Sequence, residues 1–167
     1  MTRWRRSRGS TVLEFALAGV PMIFTFISIV EMGRGMWTYQ TVAYATKETN
    51  RYIAVHGTHC GSGTNNCQLT VANVATAAEG YAIGLNTGTL NMTLTSPNGS
   101  YSCAPVSSCS TNTNQWPPAT DSTVGTVIQV RMQYQFSSAI SMLWPGAKTG
   151  TYGSYNMGSY SKQRVLF

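Results

Sequence analysis

The run VLEFALAGVPMIFTFISIV, residues 12–30, constrains this chain more than any other feature: 19 residues carry one charge, Glu14. About 20 mainly apolar residues form a helix that crosses the hydrocarbon core of a bilayer. Arg3, Arg5, Arg6 and Arg8 precede it, and no matching basic cluster follows. The positive-inside rule then sets the N-terminus in the cytoplasm and everything beyond about residue 31 outside. A cleaved secretory signal peptide shares the basic start and apolar run. It also needs a small-x-small site directly after, and the sequence there is Glu31-Met32-Gly33-Arg34-Gly35-Met36-Trp37; Ala43-Tyr44-Ala45 lies too far downstream.

The same arginines account for the charge balance. The chain has 11 basic and 5 acidic side chains, net +6, and the four leader arginines leave the remainder near balance. No clustered basic stretch remains along the sequence to track phosphates, so no nucleic-acid partner is expected. Charged residues are 10% of the chain, against roughly 25% in ordinary soluble domains. Ser, Thr, Asn and Gly fill their place, a texture common on extracytoplasmic surfaces.

Two residues are unusual for a simple anchor. A carboxylate within the apolar run, Glu14, costs on the order of 2–3 kcal/mol without a partner. It either snorkels at the cytoplasmic interface or meets a cation within an assembly. Pro21 removes a helix hydrogen bond in mid-run and favours a kink. The helical pattern continues past the run, since no Pro occurs between residues 31 and 55. One helix over residues 13–55 would be about 65 Å long. Val30, Trp37 and Tyr44 recur every seven residues, and predict an aromatic stripe packed on the following domain. Trp37 and Tyr39 could instead form an interfacial belt.

Gly9-Ser10-Thr11-Val12-Leu13-Glu14-Phe15 follows the basic leader and opens the apolar helix. This resembles the prepilin-peptidase site of type IV pilins and pseudopilins, and Glu14-Phe15 resembles the Glu-Phe or Glu-Tyr pair of the tight-adherence (Tad/Flp) branch. The proline in the helix, Glu31-x-Gly33-Arg34, and the run from Ala43 through Tyr52 are similar to TadE-like pseudopilins. Lys47 and Glu48 depart from that pattern, standing where small residues often occur. The resemblance covers about residues 3–55. It implies cleavage between Gly9 and Ser10, with Glu14 as the fifth mature residue. Such a cut removes the four arginines and creates a cation at Ser10 that can pair with Glu14, most plausibly of a neighbouring subunit. The implied organisation is a basic leader (1–9), a transmembrane part of the helix (10–30), its periplasmic part (31–55) and an extracytoplasmic α+β domain (56–167).

Beyond the helix, residues 69–85 carry Val71, Val74, Ala75, Ala78, Tyr81 and Leu85 on one helical face, with Gly80 and Gly84 weakening the later half. Leu90, Met92 and Leu94 alternate with polar residues, Pro97-Asn98-Gly99 supplies a turn, and Tyr101 and Cys103 continue the alternation, predicting a hairpin. Residues 124–136 predict a strand with Val124, Ile128, Val130, Met132, Tyr134 and Phe136 inward. Gln129, Arg131, Gln133 and Gln135 would face water. A last strand is expected over 159–167, with Val165 and Phe167 on one face, after a Gly- and Tyr-rich loop over 143–158. A long helix on a small antiparallel sheet with one additional helix is the pilin-like α+β arrangement, so pattern and resemblance agree.

Cys60, Cys67, Cys103 and Cys109 permit three pairings. Short loops cost least to close, which favours Cys60–Cys67 and Cys103–Cys109 and leaves the crossed pairings open. His56, His59, Cys60 and Cys67 could be read as a zinc site, but an oxidising location and the second cysteine pair favour disulfides, so no metal is expected. Outside the long helix the acidic residues are only Glu79 and Asp121, too few for paired-carboxylate catalysis. No nucleophile elbow or phosphate loop occurs. The sequence therefore predicts no enzyme, no cofactor and no small-molecule substrate. The TadE-like resemblance implies a minor pilin or pseudopilin, working with the prepilin peptidase, other pilins and inner-membrane assembly proteins, with the bacterial inner membrane or the extracellular pilus as its location. The alternative is an uncleaved, membrane-anchored periplasmic binding or adhesion module.

Overall fold

The computed structural model describes residues 8–56, 69–139 and 154–166. Helix α1, Arg8–Val55, is 48 residues long and spans about 72 Å. In its distal half Thr38, Val42, Ala45, Thr46, Thr49, Asn50, Ile53 and Ala54 are buried. Their steps of one, three and four keep them on one helical face. The Thr38 and Thr46 hydroxyls donate to the carbonyls of Arg34 (2.9 Å) and Val42 (2.7 Å), one turn back. Bonded in this way, they enter the core at little polar cost.

This is not the aromatic face the heptad spacing predicts. Trp37 and Tyr44 remain 53% and 52% exposed, and Val30 is exposed as well. A helix seats closely on a sheet through small and β-branched side chains, whereas a row of large rings would hold its axis off. Trp37 and Tyr44 instead flank the contact. Tyr44 meets Tyr81 edge-on at 6.5 Å. Trp37 covers Gly84, whose φ is +77°; a Cβ there would lie 2.6 Å from the indole. Lys47 is exposed and Glu48 half-buried, so neither departure from the resemblance enters the packed face.

The second helix, α2, spans Val71–Tyr81 and buries Val71, Val74, Ala75 and Ala78. Thr70 caps it, its side chain accepting from the Asn73 N–H. The Val71 and Ala72 N–H groups, which have no partner within the helix, donate to the Asn114 and Asn112 carbonyls at 2.9 Å. The helix ends at Tyr81, before the left-handed Gly84.

Strands β1 (Leu90–Ser96), β2 (Gly99–Cys103), β3 (Val127–Ser137) and β4 (Ser154–Arg164) form one antiparallel sheet in the order β2-β1-β3-β4. The α+β architecture is the one expected. Leu90, Met92 and Leu94 of β1 and Ile128, Val130, Met132 and Phe136 of β3 are buried, and α1 packs across β3 and β4 on that side. Met92 stands opposite Met132 and Leu94 opposite Val130.

Besides the early end of α2 at Tyr81, short of the expected residue 85, two boundaries in the sheet differ from expectation. Val124 lies outside β3 and is exposed, because Gly125 at φ +89° turns the chain before the strand begins. Val165 fills the adjacent space: it is buried, its N–H donates to the Thr126 carbonyl, and its carbonyl accepts from the Gly125 N–H. The last strand starts at Ser154 and pairs with the whole of β3. Its largely polar sequence hides that alternation, and Phe167 lies outside the described residues.

Trp116 is fully buried in the core beside β2, edge-on to Tyr101 at 5.6 Å. Nearby, the buried Asp121 carboxylate fixes the β1–β2 turn: it accepts from the Asn98 N–H (2.8 Å) and the Asn98 amide (2.5 Å). Burial alone would raise its pKa. Hydrogen bonding to the Ser96 side chain and to Asn98 outweighs this, and the pKa lies below the usual 3.8.

Candidate functional site

The N-terminal half of α1 is an apolar stem. It is long and apolar enough to cross a membrane, and none of its apolar stretch is buried against the rest of the chain. Its polar groups are handled locally. The Thr25 and Ser28 hydroxyls donate to the Pro21 and Phe24 carbonyls at 2.9 and 2.8 Å. Helix α1 continues through Pro21. Gly9 and Ser10 lie in its first turn, and Glu14 and Phe15 follow about one turn later. The Phe15 ring lies 3.7 Å from where a side chain on Gly19 would begin.

About 25 Å further along the axis, the stem meets the sheet at Glu31 and Arg34. Glu31 keeps only 10% of its side-chain exposure, whereas Arg34 keeps 46%. One Glu31 oxygen accepts from the Ala139 N–H at 3.2 Å, and the other lies 3.5 Å from the Arg34 guanidinium. Arg34 donates to the Ser137 carbonyl and stacks 4.9 Å over the Phe136 ring. Two side chains one turn apart thus grip the last residues of β3, where its ladder ends and its backbone groups need partners. The grip also fixes the stem relative to the sheet.

Gly9, Ser10, Glu14 and Phe15 share one end of α1. The cysteines lie elsewhere, in the outer domain. Cys103 and Cys109 form a disulfide with a Cα–Cα distance of 5.6 Å, in agreement with the sequence-local pairing. Cys60, Cys67 and His59 lie outside the described residues. His56 stacks on Tyr52, ring centroids 4.2 Å apart, and its Nδ1 is 3.0 Å from the Tyr52 carbonyl. The Glu31–Arg34 grip is a contact that residue patterns alone did not identify. Its only trace was the grouping Glu31-x-Gly33-Arg34, and nothing in the sequence points to residues 136–139 as its counterpart.

Residues 9–51 match the family model described as TadE-like protein. The match begins at Gly9, takes in Glu14, Phe15, Glu31 and Arg34, and ends within α1, leaving the sheet outside it. It bears out the resemblance and connects the chain with tight-adherence pili. No curated protein and no solved structure matches the chain.

Proposed function

We propose that the chain is a minor pilin or pseudopilin of a tight-adherence pilus. It is inserted in the inner membrane with its N-terminus cytoplasmic, and is cut by the prepilin peptidase between Gly9 and Ser10. The observation that carries this reading is the form of α1. Its family-matched end is an unburied apolar stem, and the same helix runs without a break into the core of the outer domain. Such a stem lacks a hydrophobic driving force for association within lipid, so it gathers neighbours by close packing and polar pairing. Ser10 and Glu14 supply the pairing: the α-amine released at Ser10 is the cation, and Glu14 of an adjacent stem is the anion. Other pilins and inner-membrane assembly proteins are the partners, and the reading assigns the chain no catalytic step, cofactor or small-molecule substrate.

The test is the mass and N-terminal sequence of the protein recovered from its membrane, with and without active prepilin peptidase. A peptidase-dependent start at Ser10, together with loss of pili in Glu14→Ala despite normal insertion, is the expected result. An intact N-terminus in the presence of active peptidase would favour an uncleaved anchored binding or adhesion module instead.

A further inference from the structure

The face of the sheet turned away from α1 carries a cationic, aromatic hollow that the filament reading does not use. Tyr160, Lys162 and Arg164 alternate along that face of β4. Across the ladder Arg131 stands opposite Tyr160, and Gln129 opposite Lys162. Arg131, Lys162 and Arg164 are all exposed, and Tyr160 keeps 70% of its surface. Gly158 leaves a shallow, open hollow beside the phenol, bordered by Gln129, Arg131 and Lys162. No carboxylate shares this face among the described residues. Glu14, Glu31 and Glu48 lie on α1, Glu79 on α2, and Asp121 is engaged by Asn98. Among the described residues, no carboxylate answers the three cations of this face. The sequence hid this because Arg131 and the β4 cations come from separate stretches that only the β3–β4 pairing joins.

We propose that this face binds an anionic polysaccharide, with a sugar ring seated at Gly158 against Tyr160 and its carboxylates held by Arg131, Lys162 and Arg164. Charge complementarity selects a polyanion. The rest of the site narrows the choice: a flat phenol offers an apolar face to ring C–H groups, and the Gln129 amide offers a paired donor and acceptor to hydroxyls. A nucleic acid would use the same cations but gain most from several stacking rings along its path, and here a single ring borders the hollow. The inference is independent of whether the stem enters a filament.

The test uses the full-length chain in nanodiscs of neutral phosphatidylcholine, with polyuronate oligosaccharides, neutral dextran and single-stranded DNA as probes at low salt. The expected result is polyuronate binding that dextran does not show. It should weaken at least fivefold in each of Arg131→Gln, Lys162→Gln and Tyr160→Ala, and be largely retained in Tyr160→Phe. Gly158→Leu should abolish it by filling the hollow. A Cβ there meets the Met132 carbonyl oxygen at 3.6 Å and Gln133 Cγ at 3.7 Å, ordinary contacts that leave the strand in place. The leader arginines are common to all variants, so differences among them report the sheet. Absence of polyuronate binding overturns the proposal, as does binding that no sheet variant changes. DNA binding as tight as polyuronate binding, with Tyr160→Ala and Gly158→Leu without effect, overturns it in favour of a general polyanion surface.

Discussion

Replacing Arg34 by Ala should loosen the end of β3 while leaving the rest of the sheet closed. The substitution removes three contacts: the hydrogen bond to the Ser137 carbonyl, the stack on Phe136 and the ion pair with Glu31. A hydrogen bond from a charged group contributes about 1.5–3 kcal/mol, and the lower end applies because Arg34 is half-exposed. An exposed cation–π stack adds roughly 0.5–1 kcal/mol, and a surface ion pair about 0.2–1 kcal/mol. These terms overlap, so the expected cost is about 2 kcal/mol, concentrated at residues 136–139. Since about 1.4 kcal/mol is a factor of ten in an equilibrium constant, amides there should exchange with solvent on the order of 20–30-fold faster. Amides of β1 and α2 should keep their rates, because local openings need not involve the whole domain. Glu31→Gln keeps an acceptor for the Ala139 N–H and loses only the ion pair, so it should change exchange less than threefold. Hydrogen exchange read by mass spectrometry in nanodiscs makes the comparison. Equal acceleration throughout the domain, or none at residues 136–139, would refute the grip as the local fastening described above.

Two further outcomes follow from the outer domain. Asp121 has a folded pKa below its ordinary value, so its contribution is fully present above the unfolded pKa of about 4 and is lost as pH falls through the lower folded value. Denaturation of Asp121→Asn between about pH 2 and pH 6 should therefore show a weaker acid dependence than the parent chain; identical profiles would remove the carboxylate's role in the turn. Trp116→Ala should cost about 3–5 kcal/mol by leaving a cavity in the core. Trp116→Phe should cost clearly less, because the indole nitrogen has no hydrogen-bond partner among the described residues to lose. Chemical denaturation separates the two, and equal losses would contradict that order.

The elements were legible in the sequence, but much of their mutual placement was not. The stem announced itself by length and apolarity, and β1 and β3 by the alternation of Leu90, Met92, Leu94 with Ile128, Val130, Met132. The buried face of α1 was misjudged for a physical reason. Hydrophobic weight favours Trp37 and Tyr44, whereas close approach to a sheet favours Ala45, Thr46, Thr49 and Ala54. Threonine reads as polar until its hydroxyl is bonded to its own helix, as Thr46 is to Val42. The full length of β4 was hidden because its inward residues include Ser159 and Ser161, one of which receives the Asn50 amide at 3.1 Å. The outer cluster of Arg131 with Lys162, and the grip of Glu31 and Arg34 on residues 136–139, depend on pairing between segments about 30 and 100 residues apart. Local patterns do not record such separations.

The unbroken course of α1 also has a mechanical meaning. A domain joined to its anchor by a slack tether can reorient while the anchor stays still. Here the anchor and a wall of the core are one rod, so the sheet goes wherever the stem is tilted or turned. From residue 31 to residue 55 the rod extends about 36 Å, so a tilt of 10° about the junction carries its far end by roughly 6 Å. Small angular changes of the stem would be magnified into displacements of the outward-facing strands, and a load on those strands would return along the same axis as torque. The grip at Glu31 and Arg34 is the fulcrum of that lever.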